Sequence, residues 1–405
     1  MAAGDINMVK NIAESFVVSS NSAIELKLVR QLADVKDEEC AFNPEMSHQV
    51  FGDSENIFGY RDLKIQLYYS AAKLITYFGF NYSEKVDPNK FEDFTADDIY
   101  EKVSSYLPEG FYTNLDDFCN ELDKDANFVP YGDLQHSFSS DGRNWEIYLC
   151  KVTTQNFLKY HERLQTFVLW YIDAASFIDA DDEHWRFFII YEKYNMDGST
   201  RYAVAGYTTV YEYYAYPVNI RPRISQMLIL PPFQKIGLGA QLLDSIYRYY
   251  IAHPRVVDIT VEDPSEEFQR LRDFVDVKNC RSLPSFQPNE LEQGFTDKMI
   301  AEAKEKLKLN KKQARRVYEI LRLQATDVHN CEQYRRYRLY VKNRLNVPYQ
   351  KEQQDLKRYR ERLKDQDVQA ALSFANSEQR LENLDREYRE LEDQYQRVLQ
   401  RLSSL

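Results

Sequence analysis

Cysteine is scarce in this sequence: Cys40, Cys119, Cys150, Cys280 and Cys331 are the only five in a chain of 405 residues. They are odd in number and scattered, with no Cys-x-x-Cys pair and no Cys/His cluster. That excludes a disulfide framework and argues against a zinc site, so reduced thiols in an intracellular protein and no bound metal are expected. Basic residues are outnumbered, 52 Lys and Arg against 64 Asp and Glu, for a net charge of −12. This balance disfavours direct binding to nucleic acid, and it suits either a basic partner or plain solubility. No apolar run reaches the roughly 18 residues of a membrane helix, and the N-terminus has no signal-peptide pattern, so a soluble protein without membrane contact is expected. What abounds is aromatic: 31 Tyr and 23 Phe within a hydrophobic content of 43%. The length suits two or three domains of about 100–200 residues each.

The most informative stretch is 224–240, ISQMLILPPFQKIGLGA. Residues 224–230 read as a buried strand. Pro231 and Pro232 have no N–H to donate and stop its ladder. Gln234, Lys235, Ile236, Gly237, Leu238, Gly239 and Ala240 then lead into an amphipathic helix over 241–251. A glycine-bearing loop at a helix N-terminus offers free N–H groups and a dipole that favours negative charge. Gly237 and Gly239 leave room for a phosphate to approach the backbone. A dinucleotide fingerprint wants a third glycine where Leu242 stands, and a Walker loop wants Lys-Ser/Thr where Ala240 and Gln241 stand. Gln-x-x-Gly-x-Gly resembles instead the pyrophosphate loop of the GCN5-related N-acetyltransferases, which cradles coenzyme A. Taken alone, such glycines more often mark an ordinary turn.

Order along the chain strengthens the phosphate reading. Residues 23–29 (AIELKLV) alternate as a strand, and 63–82 carry a strand followed by a second strand or short helix. Strand 144–152 precedes a long helix reaching about residue 177, capped by Thr153 or Thr154, with Phe157, Tyr160, Leu164, Phe167, Val168 and Tyr171 on one face. Strand 185–194, a hairpin turn at 195–198 and a return strand over 201–216 follow. Beyond the loop and its helix, 256–260 (VVDIT) is a short strand. It ends in Glu262, Asp263 and Pro264 before Ser265 opens another helix. A right-handed crossover sets the loop and the end of this strand at one sheet edge. After Cys280 the pattern is helical over 297–307, 311–323 and 331–345, with a break at Pro348. Leu381, Leu384, Tyr388, Leu391, Tyr395, Val398, Leu402 and Leu405 step by three and four, a heptad seam that predicts a coiled coil or docking helix; a solvated single helix is the alternative.

With these residues in hand, the chain resembles the catalytic subunits of type B histone acetyltransferases. The words that carry the likeness include NSAIELKLVR (21–30), QVFGD (49–53), YHERLQTF (160–167), RPRISQMLILPPFQ (221–234), LRDFV (271–275) and ARRVYEILRL (314–323). The expected fold is α+β. A loose N-terminus (1–20) precedes a mixed α/β N-terminal domain (21–125) and a central GCN5-related acetyltransferase fold (126–280). A helical C-terminal domain (281–347) and a charged heptad tail (348–405) complete it, the tail expected to be dispensable for turnover on a short peptide.

The resemblance implies transfer of acetyl from acetyl-CoA to lysines near the N-terminus of new histone H4, with histone H3 as its dimer partner. It also implies a WD-repeat histone chaperone as a further partner, in nucleus and cytoplasm. By the same likeness Met227, Leu228 and Ile229 offer backbone groups to the pantetheine arm, and 234–240 hold the pyrophosphate. Lys235 either adds charge beside the phosphates or points to solvent. Glu262 matches the general base and Asp263 its neighbour. Asp173 falls where the family more often has Glu. Asp53, Ser54 and Glu55, with Tyr211, Glu212 and Tyr213, map to the histone-facing residues, and carboxylates with aromatic faces suit a tail of Lys and Arg. Direct transfer in a ternary complex is expected, since Cys280 lies too far along the chain for an acetyl-cysteine. Acetylation of a different protein amine, or a histone-binding scaffold with an idle fold, are the alternatives.

Overall fold

Alternating apolar residues build the first sheet. In the computed structural model, which describes residues 14–87, 94–360 and 377–404, the chain divides into two compact units. One comprises residues up to Tyr214 together with Pro222–Tyr249, the other Ala215–Arg221 and Tyr250–Leu405.

In the first unit, β1 (Val17–Ser19) pairs with β4 (Asn56–Phe58), so order begins before residue 20; residues 1–13 lie outside the described residues. The N-terminal sheet has the order β3 (Ala41–Phe42), β2 (Ile24–Val29), β6 (Lys64–Ser70), β7 (Thr76–Asn81), and β5 (Tyr60–Arg61) pairs with β8 (Glu84–Lys85). β2 runs parallel to β6, and Ile24, Leu26, Ile65 and Leu67 are fully buried in its core. Asp125 holds the β6–β7 turn by accepting from Ser70 Oγ, Ala72 N and Lys73 N.

The central sheet of this unit runs β9 (Asp133–Ser140), β10 (Arg143–Lys151), β11 (Trp185–Met196), β12 (Ser199–Ala215), β13 (Asn219–Ile229). The β11–β12 hairpin turns on Asp197 and Gly198 with φ of 52° and 75°, as a two-residue turn of this twist requires. β12 approaches β13 so closely at Gly206 that a Cβ there would lie 2.4 Å from Leu228 O. α1 (Phe157–Leu164) crosses behind the sheet, and the expected apolar face from Phe157 to Tyr171 is buried. Its start differs from expectation: Asn156, in the left-handed region, precedes it rather than a threonine cap. Gln165–Phe167 tighten to a 3₁₀ turn and helix ends at Tyr171, short of 177. His161 sits among aromatic rings, and burial pulls its imidazole down to about 4, so it is neutral. α2 (Leu238–Ile251) buries Leu242, Leu243, Ile246 and Tyr247.

The second unit begins with a parallel pairing of Ile220 with Val256 and an ion pair from Arg221 to Asp258 (2.5 Å). The strand expected over 256–260 reduces to that bridge and to β14 (Thr260–Val261). Helices α3 (Glu266–Cys280), α4 (Asp297–Leu307), α5 (Lys311–Ala325) and α6 (Cys331–Arg360) follow, with a short helical turn at Pro288–Leu291 between the first two. Side chains of Ser265, Thr296 and Asn310 cap the first three by accepting N–H groups of their first turns. α6 continues through Pro348, where a break was expected; proline's φ is helical, and the loss is one backbone hydrogen bond.

Of the readings open for the tail, docking is observed. α7 (Ser377–Ser403) packs on α3, α5 and α6 of its own unit. Leu384, Tyr388, Tyr395, Val398 and Leu402 are buried, Leu381 is exposed, and Leu405 lies outside the described residues. Tyr395 OH donates to Glu319 Oε2 (2.8 Å), and Arg344 grips the same buried carboxylate through Nε and Nη2 (2.6 and 2.8 Å). The seam is therefore part of the helical core. Tyr395→Ala should lower unfolding stability of the helical unit by about 3–5 kcal/mol, since it empties a ring-sized volume and strips a donor from a buried charge. Denaturant unfolding followed by circular dichroism would read this, and an unchanged midpoint would show that α7 does not hold the unit together.

Candidate active site

The end of β13 shapes the first part of the site. Leu230 N donates to Ala205 O (2.9 Å), and then Pro231–Phe233 form a 3₁₀ turn. Phe233 is buried edge-on against Trp145 at 5.9 Å. Gln234 Nε2 donates back to Ile229 O (2.9 Å), closing the turn onto the strand. Lys235 and Gly237 take left-handed φ of 64° and 89°, and Lys235 is exposed, so its side chain reaches solvent from the loop. Ala240 N and Gln241 N both bond to Gly237 O (3.1 and 3.3 Å), which starts α2 and leaves the N–H groups of Leu238 and Gly239 at its mouth. A Cβ built on Gly237 meets nothing within 4 Å. Open space over a glycine at a helix N-terminus is what a pyrophosphate needs, so these residues fit acetyl-CoA. Along β13, Leu228 is buried while Met227 and Ile229 are half-buried on the opposite face.

Other candidates of the first unit fall into two groups. Asp53 and Ser54 are exposed, whereas Glu55, at φ 49°, accepts from Ser47 N (2.6 Å), Asn21 Nδ2 (2.8 Å) and His48 N (3.2 Å). The Ser47 N–H, helped by the others, holds its carboxyl below the usual range. Asp173 is exposed and meets His48 Nε2 at 3.1 Å; Nδ1 of the same ring faces Glu55 Oε1 at 3.8 Å. The structure thus brings Glu55 and Asp173 together through a histidine that carries no sequence signal beyond its place in a turn-rich segment.

In β12, Tyr211 OH donates to Asp182 Oδ2 (2.7 Å). The His184 N–H, then Tyr211 and the His184 ring, hold Asp182 down to about 2. Glu212 is buried against Arg186 (2.7 Å), and Tyr213 is exposed with the Arg223 guanidinium 4.8 Å over its ring. Asp182 and Arg186 escaped the sequence reading because neither has any motif around it.

In the second unit, Glu262 and Asp263 follow β14 and are exposed, Asp263 with φ of 32°. Ser265, rather than Asp263, caps α3. Cys280 is fully buried and burial pushes its thiol up, which removes it as an acetyl acceptor.

Comparison with known proteins settles the family. Residues 16–173 match the family model Histone acetyl transferase HAT1 N-terminus, and residues 272–323 match Histone acetyltransferase type B catalytic subunit, C-terminal. A Homo sapiens histone acetyltransferase type B catalytic subunit is 48% identical over 400 residues, covering 97% of this chain and 95% of that protein. The chain belongs to the histone acetyltransferase type B catalytic subunit family. Proteins of the same name from Dictyostelium discoideum (34% identical, 84% of this chain and 75% of the relative) and Candida albicans (30%, 95% and 90%) are also similar. As a family member it is an acetyltransferase.

Gly237→Glu should weaken coenzyme A binding at least about a hundredfold, roughly 2.7 kcal/mol, by filling the open space with a like charge. Calorimetric titration would measure this; unchanged affinity would reduce the loop to a turn.

Proposed function

We propose that this acetyltransferase moves acetyl from acetyl-CoA to lysines near the N-terminus of newly made histone H4, by direct transfer in a ternary complex. Family membership is the observation that carries the reading, and the open, N–H-lined loop at Gly237 supports the cosubstrate. A lysine ammonium has a pKa of ~10.4 and attacks only after losing its proton. Glu262 takes that proton, directly or through a water, with Asp263 and Asp173 assisting. Backbone N–H groups at Met227 to Ile229 stabilise the developing oxyanion. Loop 234–240 holds the pyrophosphate.

The tail-facing surface divides its work. Exposed Asp53, Ser54 and Tyr213 contact the basic tail, while Glu55, Tyr211 and Glu212, already bonded within the fold, fix the shape those contacts need. The histone arrives as a dimer with H3, presented by a WD-repeat chaperone, in nucleus and cytoplasm. The net charge of −12 is consistent with so basic a substrate.

Two measurements test this. Turnover on an H4 tail peptide should exceed that on an unrelated lysine peptide, or on a peptide offering only its α-amine, by at least about tenfold in kcat/KM, or 1.4 kcal/mol. Equal rates would point to a broader amine acetyltransferase, and none on any peptide to an idle scaffold. Glu262→Gln keeps side-chain shape but takes no proton at neutral pH, so the rate should drop about 10²–10⁴-fold with acetyl-CoA affinity unchanged. Full activity in that variant would move the base elsewhere.

A further inference from the structure

Within the first unit, residues 43–49 are stitched to residues 170–175 at several points. Glu45 N and Met46 N donate to Trp170 O (3.0 and 3.2 Å), Tyr171 OH donates to Asn43 O (2.9 Å), and Gln49 Nε2 donates to Ala175 O (2.7 Å). From β13, beside Met227, Gln226 Nε2 donates to Ser176 O (2.9 Å). These bonds fix the backbone that carries Asp173 and make no use of its carboxylate.

That carboxylate is 77% exposed, yet it turns one oxygen onto His48 Nε2 at 3.1 Å. The other ring nitrogen faces Glu55 Oε1 at 3.8 Å. Glu55 cannot swing away, because Ser47 N, His48 N and Asn21 Nδ2 all donate to it. The imidazole therefore stands between an anchored carboxylate and a solvent-facing one, and these are the two charged groups that meet its nitrogens. A partly exposed pair of this kind contributes little to folding, and the backbone stitching is complete without it. Its physical effect is on rotamers: with Oδ1 at ion-pair distance from the ring, the contact biases Asp173 toward one orientation and so the direction in which Oδ2 is presented.

We propose that His48 is a positioning residue for acetyl transfer: it orients the Asp173 carboxylate, and Glu55 orients His48 in turn. The proposal rests on the reading of Asp173 as an assisting carboxylate. It assigns to the turn-rich segment before Asp53 a part in the chemistry as well as in the architecture. His48 Nε2 lies 3.1 Å from Asp173 Oδ1, an ion contact when the ring is protonated, and no covalent step involves the ring.

The test compares the full-length wild-type chain with His48→Ala, His48→Gln, Asp173→Ala and the double variant His48→Ala/Asp173→Ala, on an H4 tail peptide with acetyl-CoA. His48→Ala should lower kcat about tenfold while KM for acetyl-CoA stays within about twofold, because orientation is lost and cosubstrate binding is not. Its thermal midpoint should stay within about 2 °C. His48→Gln, whose amide N–H can reach Asp173, should recover most of the rate. Asp173→Ala should lose at least as much as His48→Ala, and the double variant should be no more than about twofold slower than Asp173→Ala, since the two residues act through one carboxylate. Losses that multiply independently would overturn the proposal. So would a wild-type kcat in His48→Ala beside an impaired Asp173→Ala, which leaves the reading of Asp173 standing. A fall in thermal midpoint with no recovery in His48→Gln would reduce His48 to a fold residue. Wild-type kcat in Asp173→Ala would overturn the underlying reading and the proposal with it.

Discussion

A strand that meets two prolines cannot extend its ladder, and this constraint organises the first unit. β13 gives up pairing after Leu230, and Pro231 and Pro232 turn the chain out of the sheet. Gln234 locks the turn back onto Ile229, so the chain re-enters as a helix with its first N–H groups uncommitted beside Gly237. Had the ladder continued, those groups would be consumed by a neighbouring strand. The deep burial of Phe233 under Trp145 keeps the turn in place, and the loop inherits the rigidity of the core.

Around this edge the fold uses polar side chains for position more than for stability. Asp125 shapes the β6–β7 turn, Glu55 gathers two backbone N–H groups and an amide, and Asp182 collects Tyr211 and His184. Each is a carboxylate satisfied by fixed donors, and each holds a loop in place. The helical unit follows the same logic in its interior, where Glu319 is satisfied by Arg344 and Tyr395 and ties α7 to α5 and α6.

Much of this is legible in the sequence. Alternation located β2, a continuous apolar run located β11, the Asp-Gly pair located the β11–β12 turn, and the strand, loop and helix over 224–251 came directly from proline and glycine chemistry. β9 gives no such signal because DLQHSFSS has no apolar stripe: it is an edge strand with no fully buried residue, joined to β10 by the Asp141-Gly142 turn. The α1 start was misplaced because a threonine before a helix is a good cap in general, yet here Thr154 Oγ1 accepts from Lys151 N and Asn156 takes the left-handed position. Pro348 was read as a stop by local propensity, which packing overrides when proline's φ already suits a helix. In the site, the loop could be read from glycines and prolines. His48, Asp182 and Arg186 could not, since their partners lie far away in sequence and only the fold joins them.

The central claim is that the β13 edge and the N-terminus of α2 seat acetyl-CoA. Amide hydrogen exchange of the full chain, followed residue by residue with and without acetyl-CoA, tests it most directly, because it reads the N–H groups themselves. The account predicts slowed exchange confined to 227–229 and 236–241, and little change in the helical unit beyond Cys280. Unchanged exchange across 236–241 under saturating acetyl-CoA would contradict it.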